Sequence, residues 1–390
     1  MTPPPDPIAA VTHPDPYPYY AELVAHRPLY RDEALGLWVA SSAAAVTAVL
    51  VSELGRVRPP SEPVPAALLG SPAAEIFRHL ARMTDGAAHA ARKQAVSATL
   101  QPLDAARIAA ESERWARRLV ESTGPRIEGA HLTAFTFDLP VHVVGSLLGI
   151  PTTRLRETAQ WMSEFVGCLA PASTPGQIAR GKDAAGHLLE LGRAVLRDGG
   201  DSAEGLLATL ARGARRAGLD EADAIIANGI GFMSQAYEAT AGLIGNTLLA
   251  LAARPALRES MAGDPRRLSH LVREVLRFDP PIQNTRRFLA AGGRVAGHEM
   301  AAGDAVLVVL AAANRDPLAN FHPEVFDPLR EDRRLFTFGV GPHACPGEQL
   351  AVTIATEGVA ALLAAGLDIA PLAGRVSYRS SANARIPLFG

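Results

Sequence analysis

Residues 338 to 350 read FGVGPHACPGEQL, a stretch that places one thiol, Cys345, in a loop rich in glycine and proline. Gly339 and Gly341 permit a tight backbone turn, because glycine adopts conformations that other residues avoid. Pro346 suits the first position of a helix, and the residues after it favour helix formation. We therefore expect Cys345 at a helix N-terminus, where N–H groups favour a thiolate, a soft ligand suited to iron.

This loop resembles the heme-binding loop of the cytochrome P450 family, whose pattern is F-G-x-G-x-[HR]-x-C-x-G. The fixed positions of that pattern are filled by Phe338, Gly339, Gly341, His343, Cys345 and Gly347. The resemblance implies that residues 338 to 347 bind heme and that Cys345 is the axial ligand of its iron. It also implies that His343 faces a heme propionate and that Phe338 packs beside the sulfur. The plainer alternative is a buried, inert cysteine after a glycine turn.

Pro346 is a departure from many family members, which carry an aliphatic residue at this position. Proline has no N–H group, so residue 346 cannot donate a hydrogen bond to the sulfur. We therefore expect a more electron-rich thiolate than a Pro346→Leu variant would have.

Length and composition favour one large domain. The 390 residues would suffice for several ordinary domains, and 48% of them are hydrophobic, which is ample for a sizeable core. The two cysteines, Cys168 and Cys345, lie far apart, which argues against a disulfide framework and fits a reducing compartment. A formal charge of −2 without dense Lys/Arg blocks gives no sign of nucleic-acid binding.

The N-terminal segment MTPPPDPIAAVTHPDPYPYY lacks the basic start and the apolar run of a signal peptide. No apolar run of about 18 residues occurs elsewhere in the sequence. We therefore expect a cytoplasmic protein without membrane attachment, and a monomer.

His89 and Lys93 stand four residues apart in a stretch with a helical pattern, so they lie on one helix face. Bacterial P450s commonly carry His-x-x-x-Arg at this point, and the resemblance implies that both side chains reach a heme propionate. A lysine is a point charge rather than a bidentate fork, so we expect a less rigid hold on that propionate. The alternative for both residues is an exposed helix face.

A long apolar run from about 222 to 253 predicts a largely buried central helix. Its middle nevertheless carries the polar side chains Gln235, Tyr237, Glu238 and Thr240. A carboxylate in such a setting is costly unless it is hydrogen-bonded or used in the chemistry. The family's central helix crosses the distal face of the heme with [AG]-G-x-[DE]-T-[TS]. The resemblance therefore places Glu238 at the acid position and Tyr237 at the substrate pocket.

This alignment exposes departures from the family pattern. Gln235 replaces a small residue, Ala236 replaces a glycine, and Ala239 replaces the threonine that usually donates a hydrogen bond to oxygen. Protons must then come through water, Glu238, a substrate group or a neighbour. Thr240 could replace that threonine only if the helix rotates about its axis, since successive residues of an α-helix point about 100° apart. Gln235 is expected to project toward bound ligand, unless Gln235 and Glu238 simply satisfy one another or nearby backbone.

Glu274 and Arg277 stand three residues apart on a predicted helix that ends at Asp279 and the prolines after it. The resemblance implies that they form the family's Glu-x-x-Arg ion pair, which anchors the proximal side of the fold. Arg330 is our candidate for the third member of this ionic cluster.

Arg286 and Arg287 lead into a predicted β-run. The resemblance implies that Arg287 contacts a heme propionate, with Arg286 as the alternative. The residues just before them are expected to line the substrate pocket; they are Ile282, Gln283 and Asn284. The tip of the C-terminal β-like segment, residues 380 to 383, is expected to contact substrate as well.

Taken over nearly the whole chain, the resemblance implies a single P450 domain from 1 to 390, triangular and mainly α with a small β-rich region. It implies one heme b (iron protoporphyrin IX), O2 as co-substrate, and electrons from a separate ferredoxin and ferredoxin reductase. The implied activity is hydroxylation of a small organic substrate by a heme-thiolate monooxygenase in bacterial secondary metabolism.

Two other functions stay open. Ala239 favours chemistry that depends less on proton delivery, such as oxidative coupling of aromatic rings in a short peptide or aromatic natural product. The second is a catalytically silent relative that binds a ligand or recruits partners, although the intact cysteine loop argues against it.

Overall fold

The computed structural model describes residues 2–122, 127–170, 172–199, 205–261 and 264–390. Its helices are α1 (Tyr17–His26), α2 (Ala43–Val51), α3 (Pro72–His79), α4 (Gly86–Leu100), α5 (Ala105–Ser122), α6 (Gly129–Leu148), α7 (Leu155–Gly167), α8 (Pro175–Gly199), α9 (Leu206–Arg216), α10 (Ala222–Ala252), α11 (Pro255–Met261), α12 (Pro265–Phe278), α13 (Leu310–Asn314) and α14 (Glu348–Ala364). Its strands are β1 (Leu29–Asp32), β2 (Leu37–Ala40), β3 (Gly55–Arg56), β4 (Thr285–Leu289), β5 (Gly293–Val295), β6 (His298–Met300), β7 (Ala305–Val308), β8 (Val376–Tyr378) and β9 (Pro387–Phe389). The mainly α prediction with a small β-rich part is confirmed.

The chain divides into two compact units. The first unit holds residues 1–56, 116–136 and 238–390, and the second holds residues 57–115 and 137–237. The expectation of one domain over 1–390 stays a prediction. Within the described part of the chain, no helix is both long enough and apolar enough to cross a membrane.

A five-stranded sheet organises the first unit, in the order β1-β2-β7-β4-β3. β2 and β7 are parallel, whereas the other neighbouring pairs are antiparallel. Along β7, Val306 and Val308 belong to a core that includes Val46 of α2, while Leu307 belongs to a core that includes Tyr20 of α1. Because successive strand residues face opposite sides, this short apolar strand is covered on both faces.

The second unit is built mainly from helices that pack through small residues. A Cβ atom added to Gly181 of α8 would lie 2.3 Å from the Cβ of Cys168, which directly follows α7. A Cβ added to Gly213 of α9 would lie 3.4 Å from the carbonyl oxygen of Ala95 in α4. Small residues at these two points allow the helix backbones to approach closely.

Candidate heme site

The loop that carries Cys345 has a shape that requires glycine. Gly339 and Gly341 have φ values of +68° and +73°, in the left-handed region that glycine adopts without steric cost. A Cβ atom on Gly341 would also meet Val51 Cγ1 of α2 at 3.0 Å. The Cys345 N–H donates to the Phe338 carbonyl oxygen at 2.8 Å and closes the loop. The turn predicted from the two glycines is therefore present.

The thiol of Cys345 is exposed and lies just before α14. The Gly347 N–H donates a hydrogen bond to Cys345 Sγ at 3.3 Å. Because Gly347 is the N-cap and α14 begins at Glu348, Pro346 lies two residues before the first helical position, not at it as we expected. The sulfur is nevertheless at a helix N-terminus, where a backbone donor favours its thiolate.

The second cysteine provides the contrast. Cys168 is 4% exposed, and its thiol donates to the Phe165 carbonyl oxygen at 3.1 Å. Burial raises the pKa of Cys168 to about 11, so this thiol stays protonated and is a poor iron ligand. The chain thus holds one buried thiol and one exposed sulfur with a backbone donor. The second arrangement, at Cys345, fits the axial ligand of a heme.

Arg287 and His343, both in the first unit, were expected to contact heme propionates. Arg287 lies in β4, is 7% exposed, and its Nη1 donates to the Arg286 carbonyl oxygen at 2.8 Å. His343 ends the short 3₁₀ turn Gly341–His343 in the cysteine loop and is half-buried. Phe338, expected beside the sulfur, is half-buried as well. Their roles toward heme stay predictions.

The corresponding pair of the second unit lies on α4. His89 is 6% exposed, and its Nδ1 is 2.9 Å from the Ala81 carbonyl oxygen. That contact requires a hydrogen on Nδ1, since a carbonyl oxygen only accepts. Lys93 follows one turn later on the same helix and is half-buried. The two side chains share a helix face, as the spacing predicts.

The polar residues in the middle of α10 lie on two sides of the helix, one exposed and one buried. Gln235 is exposed, with its Nε2 donating to the Gly231 carbonyl oxygen at 2.8 Å, and Ala239 one turn later is partly exposed. Tyr237 is 5% exposed with its ring centroid 4.9 Å from that of Phe137, and its place at the substrate pocket stays a prediction. Thr240 is 0% exposed, and its hydroxyl has no hydrogen-bond partner among the described residues. Thr240 thus lies on the buried side of α10, and its role in proton delivery stays a prediction.

Glu238 forms an ion pair that the sequence did not predict. Its Oε1 lies 3.2 Å from Nη1 of Arg379, and the two side chains are 31% and 32% exposed. Arg379 directly follows β8 and directly precedes the tip at 380–383. No sequence spacing connects these two positions. The alternative that Gln235 and Glu238 satisfy each other or nearby backbone is met in part, since the Gln235 amide bonds to α10 backbone.

Glu274 and Arg277 of α12 form a buried ion pair. Both side chains are 0% exposed, and Arg277 Nη2 donates to Glu274 Oε1 at 2.6 Å. Arg333 Nε donates to Glu274 Oε2 at 2.9 Å, whereas Arg330 Nε is 3.6 Å from Oε1. Arg330 is therefore a member of the ionic cluster, as expected, and Arg333, which sequence reasoning missed, joins it through a hydrogen bond.

The pKa of Glu274 is lowered by this cluster. Burial raises the pKa, but the hydrogen bond and charge of Arg277, followed by the hydrogen bond of Arg333, outweigh it. The carboxylate is consequently held in its charged form, where it neutralises the surrounding guanidinium groups.

The three residues expected to line a pocket before β4 have other contacts. Gln283 is 0% exposed and its Nε2 donates to the Pro280 carbonyl oxygen at 2.7 Å. Asn284 is 2% exposed and its Nδ2 donates to the Ala382 carbonyl oxygen at 2.9 Å. Ile282 packs against the core that includes Val306. The two amides bind local backbone and the C-terminal segment, and the pocket role of the three residues stays a prediction.

Comparisons with known proteins agree with this arrangement. The family model Cytochrome P450 matches residues 266–364, which include Glu274, Arg277 and the cysteine loop. Among solved structures, CalO2 has a TM-score of 0.84 at 25% identity and covers 99% of this chain and 96% of its own. The chain has the cytochrome P450 fold, and its residues 266–364 match the model of that family.

Curated relatives match parts of the chain. It is 32% identical to Vitamin D(3) 25-hydroxylase of Pseudonocardia autotrophica over 56% of this chain and 53% of that protein. It is 29% identical to 6-deoxyerythronolide B hydroxylase of Saccharopolyspora erythraea over 62% of this chain and 62% of that protein. The chain thus spans about half to three fifths of these relatives.

Proposed function

We propose that this protein is a heme-thiolate monooxygenase that hydroxylates a small organic substrate in bacterial secondary metabolism. The observation that carries the proposal is the exposed Cys345 sulfur, which accepts the Gly347 N–H at 3.3 Å in a loop shaped by glycine. Two similar proteins support it, since one is named for hydroxylation of vitamin D(3) and the other for hydroxylation of 6-deoxyerythronolide B. In the overall reaction O2, two electrons and two protons convert a C–H bond to C–OH and release one water.

Heme b would supply the oxygen activation, and the chain's residues would hold the heme and control its surroundings. Cys345 would hold the heme iron through its sulfur. The candidates for the propionates, as the family resemblance implies, are His343, Arg287, His89 and Lys93. Arginine and lysine carry charges that suit carboxylates, histidine can donate an N–H to them, and arginine can bind one through two parallel hydrogen bonds.

Proton delivery would differ from the family pattern because Ala239 has no hydroxyl. The Glu238 carboxylate precedes it by one residue and is 31% exposed, so water can reach it. We propose that protons pass through water at Glu238, or through a hydroxyl group of the substrate. The Gln235 amide, on the same exposed side of α10, would orient the ligand.

We propose that electrons come from a separate ferredoxin and its reductase. The face that carries Cys345 is the proposed docking surface, because Cys345 would bind the iron that receives the electrons.

The decisive test is the ferrous carbon monoxide spectrum of the purified heme protein. We expect the red-shifted Soret band that a thiolate ligand gives, and we expect Cys345→Ser to lose it. Cys168→Ser is the matched control and should keep the band, because Cys168 is buried away from solvent. A heme-loaded wild-type protein without that band would contradict the proposal and favour the silent binding module.

Ala239 favours a second activity, oxidative coupling of aromatic rings in a short peptide or aromatic natural product. Coupling removes two hydrogen atoms and leaves no oxygen in the product, whereas hydroxylation inserts one atom of O2. Turnover under ¹⁸O2 followed by mass spectrometry therefore separates the two. A product without the label, formed by loss of two hydrogens, would replace hydroxylation by coupling.

A further inference from the structure

The C-terminal hairpin of β8 and β9 lies directly on α10. A Cβ atom on Gly245 would be 3.0 Å from Pro387 Cγ of β9. A Cβ on Gly242 would be 3.1 Å from the Arg385 carbonyl oxygen and 2.7 Å from Pro281 Cβ. Since side chains at these two positions would collide, the glycines allow the hairpin to approach the helix backbone.

Hydrogen bonds of the buried Arg385 also fix which face of the hairpin points inward. Arg385 is 2% exposed, and it donates from Nε to Asp279 Oδ1 at 2.9 Å and from Nη2 to the Tyr378 hydroxyl at 2.8 Å. The Arg379 N–H donates to the Ile386 carbonyl oxygen at 2.9 Å. Because side chains alternate along an extended strand, Tyr378 faces the buried arginine and Arg379 faces the other way.

Arg379 thereby meets Glu238, one helical turn before Gly242. Each side chain is about a third exposed, and the closest atoms are 3.2 Å apart. The buried Glu274–Arg277 pair, by contrast, is 0% exposed and closes to 2.6 Å. A partly exposed ion pair contributes little to stability, so another anion can compete for the guanidinium.

The position of Arg379 beside α10 suggests a function for its positive charge. Glu238 is directly followed by Ala239, the position at which the family's hydroxyl is missing. Both residues are partly exposed, as is the Arg379 side chain. A cation thus stands at the edge of the helix face to which the proposed function assigns the substrate.

We propose that Arg379 binds a carboxylate group of the substrate in exchange for Glu238. The proposal rests on the proposed function and names its substrate class, small organic acids. The planar guanidinium of Arg379 matches a carboxylate through two parallel hydrogen bonds, and its present ion pair with Glu238 is only partly buried. The exchange also leaves the Glu238 carboxylate beside Ala239, where it can relay protons through water.

The test is isothermal titration calorimetry of the heme-loaded protein with matched acids and alcohols. The probes are dodecanoate and indole-3-butyrate, each compared with the alcohol of the same carbon skeleton. Arg379→Gln should weaken binding of the acids about tenfold and change binding of the alcohols little. Glu238→Gln should have the opposite effect and tighten binding of the acids, because the competing anion is removed while the side-chain size is kept.

Arg375→Gln is the matched control, since Arg375 is an exposed arginine at the start of the same hairpin. It should leave all four dissociation constants unchanged. The proposal is overturned if Arg379→Gln weakens acids and alcohols equally, if Glu238→Gln fails to tighten acid binding, or if the wild-type protein binds neither acid at millimolar concentration. A thiolate-type carbon monoxide band together with any of these results would overturn the carboxylate site alone, whereas loss of the band would overturn the proposed function.

Discussion

Of the two residues that follow Cys345, only one can donate a backbone hydrogen bond to its sulfur. Gly347 donates its N–H to Sγ at 3.3 Å, while Pro346, the residue between them, has no N–H to offer. Hydrogen bonds to a ligating sulfur withdraw electron density and raise the reduction potential of its iron. We therefore expect the residue at position 346 to affect the reduction potential of an iron bound by Cys345.

Pro346→Leu should raise the reduction potential of the heme iron, on the order of tens of millivolts, because it adds an N–H beside the thiolate. Spectroelectrochemical titration of the ligand-free protein measures this potential. Pro371→Leu, at an exposed proline far along the chain, is the control and should leave it unchanged. An equal potential in the Pro346→Leu variant and the wild type would refute the effect.

Single residues were predictable where their spacing is local. The positions of Gly339, Gly341 and Cys345 follow from one short motif, so the loop geometry could be predicted from sequence. Arg379 and Arg333 could not, because each reaches its carboxylate partner from a distant segment, and the sequence carries no spacing for such pairs. Thr240 required the structure too, since only the helix rotation decides that it faces the buried side.

At the scale of elements, α12 depends on a charged cluster in its buried face. Glu274 accepts hydrogen bonds from Arg277 and Arg333, and its Oε1 also accepts the Asp327 N–H at 3.1 Å. The cluster thereby ties the helix to the segment that leads into the cysteine loop. Breaking a buried ion pair costs more than the pair contributes, because the remaining charges stay buried without compensation.

Glu274→Gln should lower the free energy of unfolding by about 3–5 kcal/mol at neutral pH, since it leaves Arg277 and Arg333 without a counter-charge. Urea unfolding followed by circular dichroism measures the change. Glu299→Gln is the control, because Glu299 and its partner Arg294 are both exposed, and it should change stability little.

The stability difference between the wild-type protein and the Glu274→Gln variant should depend on pH. The folded pKa of Glu274 lies below its ordinary value of 4.5, so its contribution is fully present above that pH and is lost as pH falls through the lowered pKa. The stability difference between wild type and Glu274→Gln should therefore shrink below pH 4.5. A difference that grows on acidification would contradict this account.

Elements with strong local patterns were predictable from sequence. The apolar run predicted a central helix at about 222–253, and α10 spans Ala222–Ala252. The partners that each side chain meets in neighbouring elements were not predictable, because they depend on tertiary contacts. Gln283 and Asn284 illustrate this: the sequence did not predict that their amides bind the backbone carbonyl groups of Pro280 and Ala382.

At the scale of the whole molecule, a buried polar network joins the two ends of the chain within the first unit. The Tyr17 hydroxyl donates to Asp279 Oδ1, which also accepts from Arg385. Arg385 Nη1 donates to the His13 carbonyl oxygen at 2.6 Å, so residues near both termini share one cluster. Burial, followed by the charge of Asp279, raises the pKa of Tyr17 well above its ordinary value.

Tyr17→Phe should lower the free energy of unfolding by about 1.5–3 kcal/mol at neutral pH, because it removes a hydrogen bond to a charged group. Since the folded pKa of Tyr17 is raised, its contribution is present below its ordinary value of 10.0 and is lost as pH rises through the folded pKa. The difference from wild type should thus shrink above pH 10 in urea unfolding measured across alkaline pH. Equal stabilities at neutral pH would show that the network does not depend on this hydroxyl.

Three of the four boundaries between the two compact units fall inside continuous helices. These three lie at residues 115/116 in α5, 136/137 in α6 and 237/238 in α10, whereas the fourth, 56/57, directly follows β3. A polypeptide cut at any of the three helical boundaries would end inside a helix, with N–H and C=O groups on both sides deprived of their partners. Efforts to exchange parts of this protein with a homologue should therefore place the crossovers in loops such as the one after β3, and carry α5, α6 and α10 over whole.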